Sequence, residues 1–191
     1  MTTKTQLYFK NDEEWRQWLF NNHHNEEGVY LIFYKIDHPM ESMRWEEAVK
    51  VALCYGWIDS TVKSLGDGKR QQYFCPRKQK SVWSKLNKTY IKQLIKNELM
   101  HESGLIKMKQ AKKDGSWTVL DNVENGIIPK DLRIAFNQNE SAFVNYSNFS
   151  RSYRKSYLYW LNQAKREVTR QKRITEIIKL CSQNIKSRGN W

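Results

Sequence analysis

The stretch CYGWIDSTVKSLGDGKRQQYFCPR, residues 54–77, predicts the element around which the N-terminal half of the chain is built. Before Gly56 the apolar residues recur at helical spacing, and a glycine at this point can end a helix in the left-handed conformation. From Trp57 onward the pattern has a period of two, and Gly66-Asp67-Gly68 is a strong turn signal. The stretch therefore predicts the end of a helix followed directly by a β-hairpin.

The pairing of this hairpin determines which side chains share a face. With a three-residue turn, Lys63 would lie opposite Gln71 and Asp59 opposite Cys75. A slip of one residue would move side chains to the opposite face, so the face depends on the register. In this register one face would carry Trp57, Asp59, Lys63, Tyr73 and Arg77.

The segments on either side of the hairpin predict a two-part molecule. A capped helix after Asn11, a buried strand over residues 29–35 and a helix from about Ser42 precede the hairpin. A helix capped by Ser81 or Ser84 follows it, with lysines along one face. Residues 114–128 are rich in turn formers, and only helical patterns follow, including a long one from Ser150. We therefore predict an α+β fold, with an α/β domain over residues 1–115 that contains a small antiparallel sheet, and an all-helical domain over residues 116–191.

Basic residues are concentrated in two segments of the 191-residue chain. The formal net charge is +13, and residues 77–113 and residues 151–191 each carry a net charge of +9. The remaining residues carry a net charge of −5. This segmental distribution favours basic surface patches and makes nucleic acid, anionic metabolites and acidic protein surfaces candidate partners.

Several classes of protein are disfavoured by the sequence. No apolar run is long enough for a membrane helix, and the first residues turn acidic where a signal peptide would be apolar. The three cysteines are odd in number and widely spaced, which predicts reduced thiols in a cytoplasmic protein. The histidines and cysteines show no metal-ligand spacing, and the known phosphate-loop motifs are absent, so we predict neither a metal nor a cofactor.

Two short patterns near the hairpin suggest chemistry. Ser60 and Lys63 match the S-x-x-K motif of acyl-enzymes, but that motif needs one helical turn and these residues lie on a predicted strand. Arg77, Lys78 and Lys80 precede a helix N-terminus, which offers free amides and a positive dipole end to an anion. A solvated basic turn is the alternative interpretation of these three residues.

Three separated sequence blocks resemble one known family. The block from Trp45 through Asp59 is similar to its W-x-E-A-V-x-x-A-L-C-[FY]-G-W-I-D motif, although Ser60 replaces the usual glycine that follows. The block from Phe74 to Asn87 resembles its F-x-P-R-x-x-x-S-x-W-S-x-x-N motif, and residues 164–170 resemble A-K-R-E-x-T-R. On these motifs the chain resembles the YdeI/OmpD-associated, or bacteriocin-protection, family from about Trp15 to about Leu180.

The resemblance implies a small bacterial cytoplasmic protein with an N-terminal part akin to YjbR/CyaY-like folds and a helical C-terminal part. The family name reflects association with envelope stress or bacteriocin tolerance, and it implies no established reaction. Membrane insertion is not expected, and the oligomeric state is left open. Enzymatic activity is left undecided, with the balance against it.

Three functional hypotheses follow. The first is a binding module for an anionic ligand or an acidic partner, with these contact residues: Trp57, Asp59, Lys63, Arg77, Ser81, Trp83, Asn87, Lys165, Arg166 and Arg170. The second is non-specific nucleic-acid binding through the basic helices, which would depend strongly on salt. The third is an enzyme that uses Asp59 as a general acid or base.

Overall fold

The computed structural model describes residues 5–188 and divides the chain into two compact units, residues 1–118 and residues 119–191. The N-terminal unit is an α+β structure and the C-terminal unit is helical, which confirms the predicted fold class. None of the helices within residues 5–188 is long and apolar enough to cross a membrane.

The N-terminal unit contains one four-stranded sheet and four helices. Its elements in chain order are β1 (Gln6–Tyr8), α1 (Asp12–Asn22), β2 (Val29–Tyr34), α2 (Trp45–Cys54), β3 (Trp57–Gly66), β4 (Lys69–Pro76), α3 (Lys85–Lys96) and α4 (Glu102–Lys113). The strand order is β1-β2-β4-β3, and only β1 and β2 pair in parallel. The sheet is therefore mixed, because the short strand β1 adds a parallel edge to the three predicted antiparallel strands.

The start and end of the helices follow local chemistry. The Asn11 side chain accepts a hydrogen bond from the Glu14 amide at the start of α1, and Ser84 does the same for Asn87 at the start of α3. Gly56 has a φ of +73° two residues after the end of α2, as predicted for a glycine that ends a helix. This turn directs the chain from α2 into strand β3.

The core of the N-terminal unit lies between the sheet and its helices and is rich in aromatic side chains. Trp15, Trp57 and Phe74 are almost fully buried, with the Trp15 and Trp57 ring centroids 6.2 Å apart. The Trp57 indole donates a hydrogen bond to the carbonyl of His23 at 3.1 Å, which ties β3 to the end of α1.

The C-terminal unit is built from short helices around a smaller core. These helices are α5 (Asp121–Glu124), α6 (Lys130–Asn137), α7 (Glu140–Asn148), α8 (Arg151–Asn162) and α9 (Glu167–Ser182). Leu132, Tyr157 and Ile177 are among its buried residues. The long amphipathic pattern predicted from Ser150 is therefore two helices, interrupted at residues 163–166.

Candidate anion-binding site at the basic turn

Arg77 is a buried charge at the centre of the basic turn. Its residue surface is only 3% exposed, and its backbone amide donates to the carbonyl of Gly56 at 2.9 Å. Its guanidinium Nη1 donates to Ser81 Oγ at 3.2 Å and to the carbonyl of Val82 at 2.9 Å. These bonds close residues 77–82 into a loop and fix the start of the segment that leads into α3.

The guanidinium of Arg77 also stacks on an aromatic ring. Its Cζ atom lies 3.7 Å from the ring centroid of Trp83, which is itself 1% exposed. Such cation–π contacts strengthen when the pair is shielded from water. The cation nevertheless has only neutral direct partners, which are the Ser81 hydroxyl, the Val82 carbonyl and the Trp83 indole.

The electrostatic consequence is a cation in an unfavourable environment. Burial lowers the pKa of the Arg77 guanidinium to about 10, and the Asp59 carboxylate opposes this shift to a smaller extent. The group therefore remains charged at neutral pH. Because desolvating a charge is costly without an opposite charge in direct contact, an anion at this point would be stabilised.

Two polar atoms of this region have no hydrogen-bond partner within residues 5–188. They are Arg77 Nε and the hydroxyl oxygen of Ser116, both fully shielded from solvent. Arg77 and Ser116 line one small crevice, together with Lys78, Lys80 and Lys107. The crevice volume is about 10 Å³, which is enough for roughly one water-sized group. It can therefore receive a single oxygen atom but not a whole ligand.

One acidic residue of the crevice is already engaged. Asp114 Oδ1 accepts a hydrogen bond from the backbone amide of Ser116 at 2.9 Å. The nearby Ser116 hydroxyl, then the hydrogen bond from the Ser116 amide, and to a smaller extent Lys80, lower the pKa of the Asp114 carboxyl. Its negative charge is thus partly balanced by Lys80, and the cations at the crevice outnumber this one acid.

A second aromatic ring extends the site toward the protein surface. The rings of Trp83 and Trp117 lie 4.9 Å apart, and Trp117 is half-buried. The ammonium groups of Lys88 and Lys112 each lie 5.4 Å from the Trp117 ring centroid. Helices α3 and α4 therefore bring two like charges to one indole.

The predicted register of the hairpin is correct only in its middle, because at the turn Gly66 lies opposite Lys69 across two residues instead of three. Lys63 lies opposite Gln71 as expected, but Asp59 lies opposite Phe74 and Trp57 opposite Pro76. A bulge between Asp59 and Val62 adds one residue to β3 and shifts the pairing beyond it. Trp57 and Arg77 are consequently not cross-strand partners, and the single polar face predicted for them does not form.

Asp59 joins three elements of the N-terminal unit. Its Oδ2 atom accepts hydrogen bonds from the indole of Trp45 on α2, at 2.9 Å, and from the amide of Gln72 on β4. This tie gives Asp59 a structural role beside the core. Its action as a general acid or base stays a prediction.

The other predicted contact residues of this unit lie apart from the crevice. Trp57 is in the aromatic core, and Lys63 is exposed on the hairpin opposite Gln71. Asn87 is in the first turn of α3, where its amide is capped by Ser84. The structure thus brings together Arg77, Ser81 and Trp83 from the predicted set.

The three C-terminal residues of the predicted set belong to the other unit. Lys165 and Arg166 are exposed in the interruption between α8 and α9. Arg170 forms a two-point ion pair with Asp131, with Nε–Oδ2 and Nη2–Oδ1 distances of 2.5 and 3.0 Å. The Arg170 side chain is therefore engaged within its own unit, and a role for the three residues at the anion site stays a prediction.

A much larger cleft of the N-terminal unit lies at the tip of the hairpin instead. It has a volume of about 810 Å³ and is lined by residues of the 34–37 loop and of the hairpin turn. All of its lining residues are exposed or half-buried, including the basic Lys35, Arg44 and Lys69. Their charges are hydrated, so this cleft offers no uncompensated charge comparable with Arg77.

Only some of the residues of this site could be identified from the sequence. Arg77, Ser81 and Trp83 lie within one short segment and could be found by their spacing. Lys107 and Ser116 reach the crevice from α4 and the residues after it, which no local pattern connects with Arg77. Lys107 packs closely against Gly56, because a Cβ atom added to Gly56 would lie only 2.7 Å from Lys107 Cγ.

Fold and site together define a basic α+β protein with a separate helical unit. Residues 7–107 match a family described as a domain of unknown function (DUF8412), and because this match spans more than half of the sequence, the chain belongs to that family. Residues 125–184 match the family described as bacteriocin-protection, YdeI or OmpD-associated. This second match confirms the family resemblance over residues 125–184, which contain the block at residues 164–170. The other two motif blocks lie within the residues matched by the first family. No curated protein and no solved structure matches the chain.

Proposed function

We propose that this protein of the YdeI/OmpD-associated type is a non-enzymatic binding module for an anionic ligand or an acidic partner. The proposal rests on one observation. The buried guanidinium of Arg77 has only neutral direct partners, and its Nε atom has no hydrogen-bond acceptor within residues 5–188. A carboxylate or phosphate oxygen would supply both the missing acceptor and the missing negative charge.

The size of the crevice sets the binding mode. One oxygen of the anion enters the crevice and accepts hydrogen bonds from Arg77 Nε and from the Ser116 hydroxyl. The remainder of the anionic group stays outside, where the ammonium groups of Lys78, Lys80 and Lys107 attract it. A carboxylate of a peptide and a phosphate of a metabolite share this chemistry, and the cytoplasmic location predicted for the protein would expose it to both.

A matched pair of lysine variants tests this mode of binding. Lys107 lines the crevice, whereas Lys109 is exposed on the same helix and does not line it. We expect Lys107→Gln to weaken the binding of pyrophosphate or of a hexaglutamate peptide by about threefold to tenfold, because one nearby charge is lost. Lys109→Gln should leave the dissociation constant unchanged. Isothermal titration calorimetry of the full chain at low salt measures both.

Two results would contradict the proposed site. One is the absence of heat for both probes with the unmodified chain. The other is an equal loss of affinity in the Lys107→Gln and Lys109→Gln variants, since this would indicate diffuse attraction by the basic surface. A preference for one probe over the other identifies the class of ligand.

A second candidate function is non-specific nucleic-acid binding, favoured by the surface around Trp117. Lys85, Lys92 and Lys96 are exposed along α3, and the half-buried Trp117 beside Lys88 provides an aromatic surface. Basic grooves with aromatic rings bind single strands through phosphate contacts and base stacking. Fluorescence anisotropy with labelled single-stranded DNA and RNA should then show binding at low salt that weakens steeply as salt is raised, and absence of binding at low salt excludes this function.

A further inference from the structure

The C-terminal unit contains its own basic cleft, distinct from the crevice of the N-terminal unit. It has a volume of about 340 Å³, at the lower end of the roughly 300–1,000 Å³ typical of small-molecule sites. It lies among the loop after α5, helices α6 and α7, and the first turns of α8. Its principal polar lining residues are Arg133, Tyr146, Arg151, Arg154 and Lys155.

The charges in this cleft are only partly balanced. Glu124 is the one acidic lining residue, and its carboxylate lies 3.1 Å from the ammonium group of Lys155. Arg151 donates to the backbone carbonyl of Glu124 at 3.0 Å, which is a neutral acceptor. The guanidinium groups of Arg133 and Arg154 have no hydrogen-bonded acceptor or ion-pair partner within residues 5–188, so the cleft has an excess of positive charge.

A buried hydroxyl in the same cleft has no partner. Tyr146 is 2% exposed, and its OH group has no hydrogen-bond partner within residues 5–188. Burial raises the pKa of Tyr146 to about 12, while Arg154 and Arg133 lower it by smaller amounts. The group is therefore a neutral hydroxyl at pH 7 that can donate a hydrogen bond, and its nearest charged neighbours are cations.

The start of helix α8 is electrostatically unfavourable in the absence of a bound anion. Arg151, Arg154 and Lys155 lie in its first turns, and no acidic residue is present in the first turn. Cations at a helix N-terminus are repelled by the positive end of the helix dipole. An anion bound between these side chains would be attracted by both the dipole and the side chains.

We propose that this cleft binds the phosphate group of a small phosphorylated molecule. Two guanidinium groups, Arg133 and Arg154, supply planar donors suited to phosphate oxygens, and the Tyr146 hydroxyl supplies a neutral donor. The excess of positive charge suits a dianion better than a monoanionic carboxylate. The ring centroid of Phe143 lies 4.9 Å from Arg133 Cζ, and this ring forms an apolar wall for the organic part of the ligand.

Calorimetry with inorganic phosphate and phenyl phosphate tests the cleft in the full chain. We expect both to bind, and phenyl phosphate to bind more tightly because its ring can contact Phe143. Arg154→Gln should weaken both by about tenfold or more, as expected for loss of a charge-assisted hydrogen bond. Tyr146→Phe should weaken them by about threefold to tenfold without lowering the melting temperature, because the lost hydroxyl is unpartnered in the free protein.

Two control variants separate this cleft from other sites. Lys172→Gln changes an exposed cation on α9 and should leave the affinity unchanged. Lys107→Gln changes only the N-terminal crevice, so Arg154→Gln should weaken binding as much in the Lys107→Gln background as in the unmodified chain, and failure of one site can be told from failure of the other. The inference is overturned if neither phosphate binds, or if Arg154→Gln binds both with the affinity of the unmodified chain.

Discussion

The two basic sites of this protein both contain arginines, but these arginines lie in different environments. At the crevice of the N-terminal unit, Arg77 is buried, stacked on Trp83 and bonded to the loop that it closes. At the cleft of the C-terminal unit, Arg133 and Arg154 line a space large enough for a ligand. The first arginine is part of the folded core, whereas the other two border an open volume.

Net charge alone therefore does not identify a binding site. Both basic segments carry the same net charge of +9, yet the volumes that their cations line are about 10 Å³ and 340 Å³. A buried cation indicates a binding site when no opposite charge is in direct contact with it. A cation at a cleft indicates a binding site when the cleft is large enough for a ligand. Substitutions of the buried Arg77 and Trp83 should therefore change stability, whereas substitutions of the cations that border either space should change binding.

The largest effect is expected from truncating the ring that supports Arg77. Trp83→Ala should lower the free energy of unfolding of the N-terminal unit by about 3–5 kcal/mol, because a buried indole is lost and a cavity remains. Urea denaturation measures this loss. Phe20 is 58% exposed, so the control Phe20→Ala should have a much smaller effect. Equal losses in the two variants would show that Trp83 is not part of a packed core.

The next effect concerns the ion pair between Asp131 and Arg170. Asp131→Asn should lower the free energy of unfolding of the C-terminal unit by about 1–2 kcal/mol, because a two-point charge-assisted contact is broken. Addition of Arg170→Gln to this variant should cost little more, since the pair is already broken. Thermal unfolding of the two single variants and the double variant measures the coupling, and strictly additive losses would contradict it.

The same pair predicts a pH dependence. The hydrogen bond from Arg170 lowers the pKa of the Asp131 carboxyl below its ordinary value of 3.8. The unfolded chain therefore takes up this proton at a higher pH than the folded one. The stabilisation is complete above the ordinary value and is lost as the pH falls through the depressed pKa. In the acid range the stability difference between the unmodified chain and Asp131→Asn should shrink, and a constant difference would contradict this prediction.

The smallest effect distinguishes two buried tyrosines of the C-terminal unit. The Tyr157 hydroxyl donates to the carbonyl of Ile185 at 2.8 Å, whereas the Tyr146 hydroxyl has no partner within residues 5–188. Tyr157→Phe should lower the free energy of unfolding by about 1 kcal/mol, because a hydrogen bond is lost. Tyr146→Phe should leave stability unchanged or slightly raised. Melting temperatures in phosphate-free buffer compare them, and an equal loss would mean that Tyr146 is paired.

The hairpin shows what the sequence could and could not predict. The turn at Gly66-Asp67-Gly68 and the helix end at Gly56 were correctly predicted, because glycines with positive φ leave a local signal. The bulge near Ser60 leaves no local signal in the sequence, since an extra residue in one strand can be recognised only when the pairing with the partner strand is known. The predicted polar face failed for that reason.

The C-terminal unit shows a second kind of limit. The pattern from Ser150 onward contains no glycine or proline at residues 163–166, so nothing local predicted the break between α8 and α9. The phosphate cleft was missed because its residues come from several short helices. Arg133 and Arg154 look like ordinary surface arginines until the fold brings them to one space.

Arg77 carries a buried charge that, as we propose, an external anion completes. The most direct measurement is a nuclear magnetic resonance titration that follows the Nε–H signal of Arg77 in the ¹⁵N-labelled chain as pyrophosphate is added. We expect this signal to shift saturably, together with the backbone amides of Lys78 and Ser116, and Lys107→Gln to raise the concentration needed. An Arg77 Nε–H signal that stays unchanged while other lysine-rich surfaces respond would contradict it.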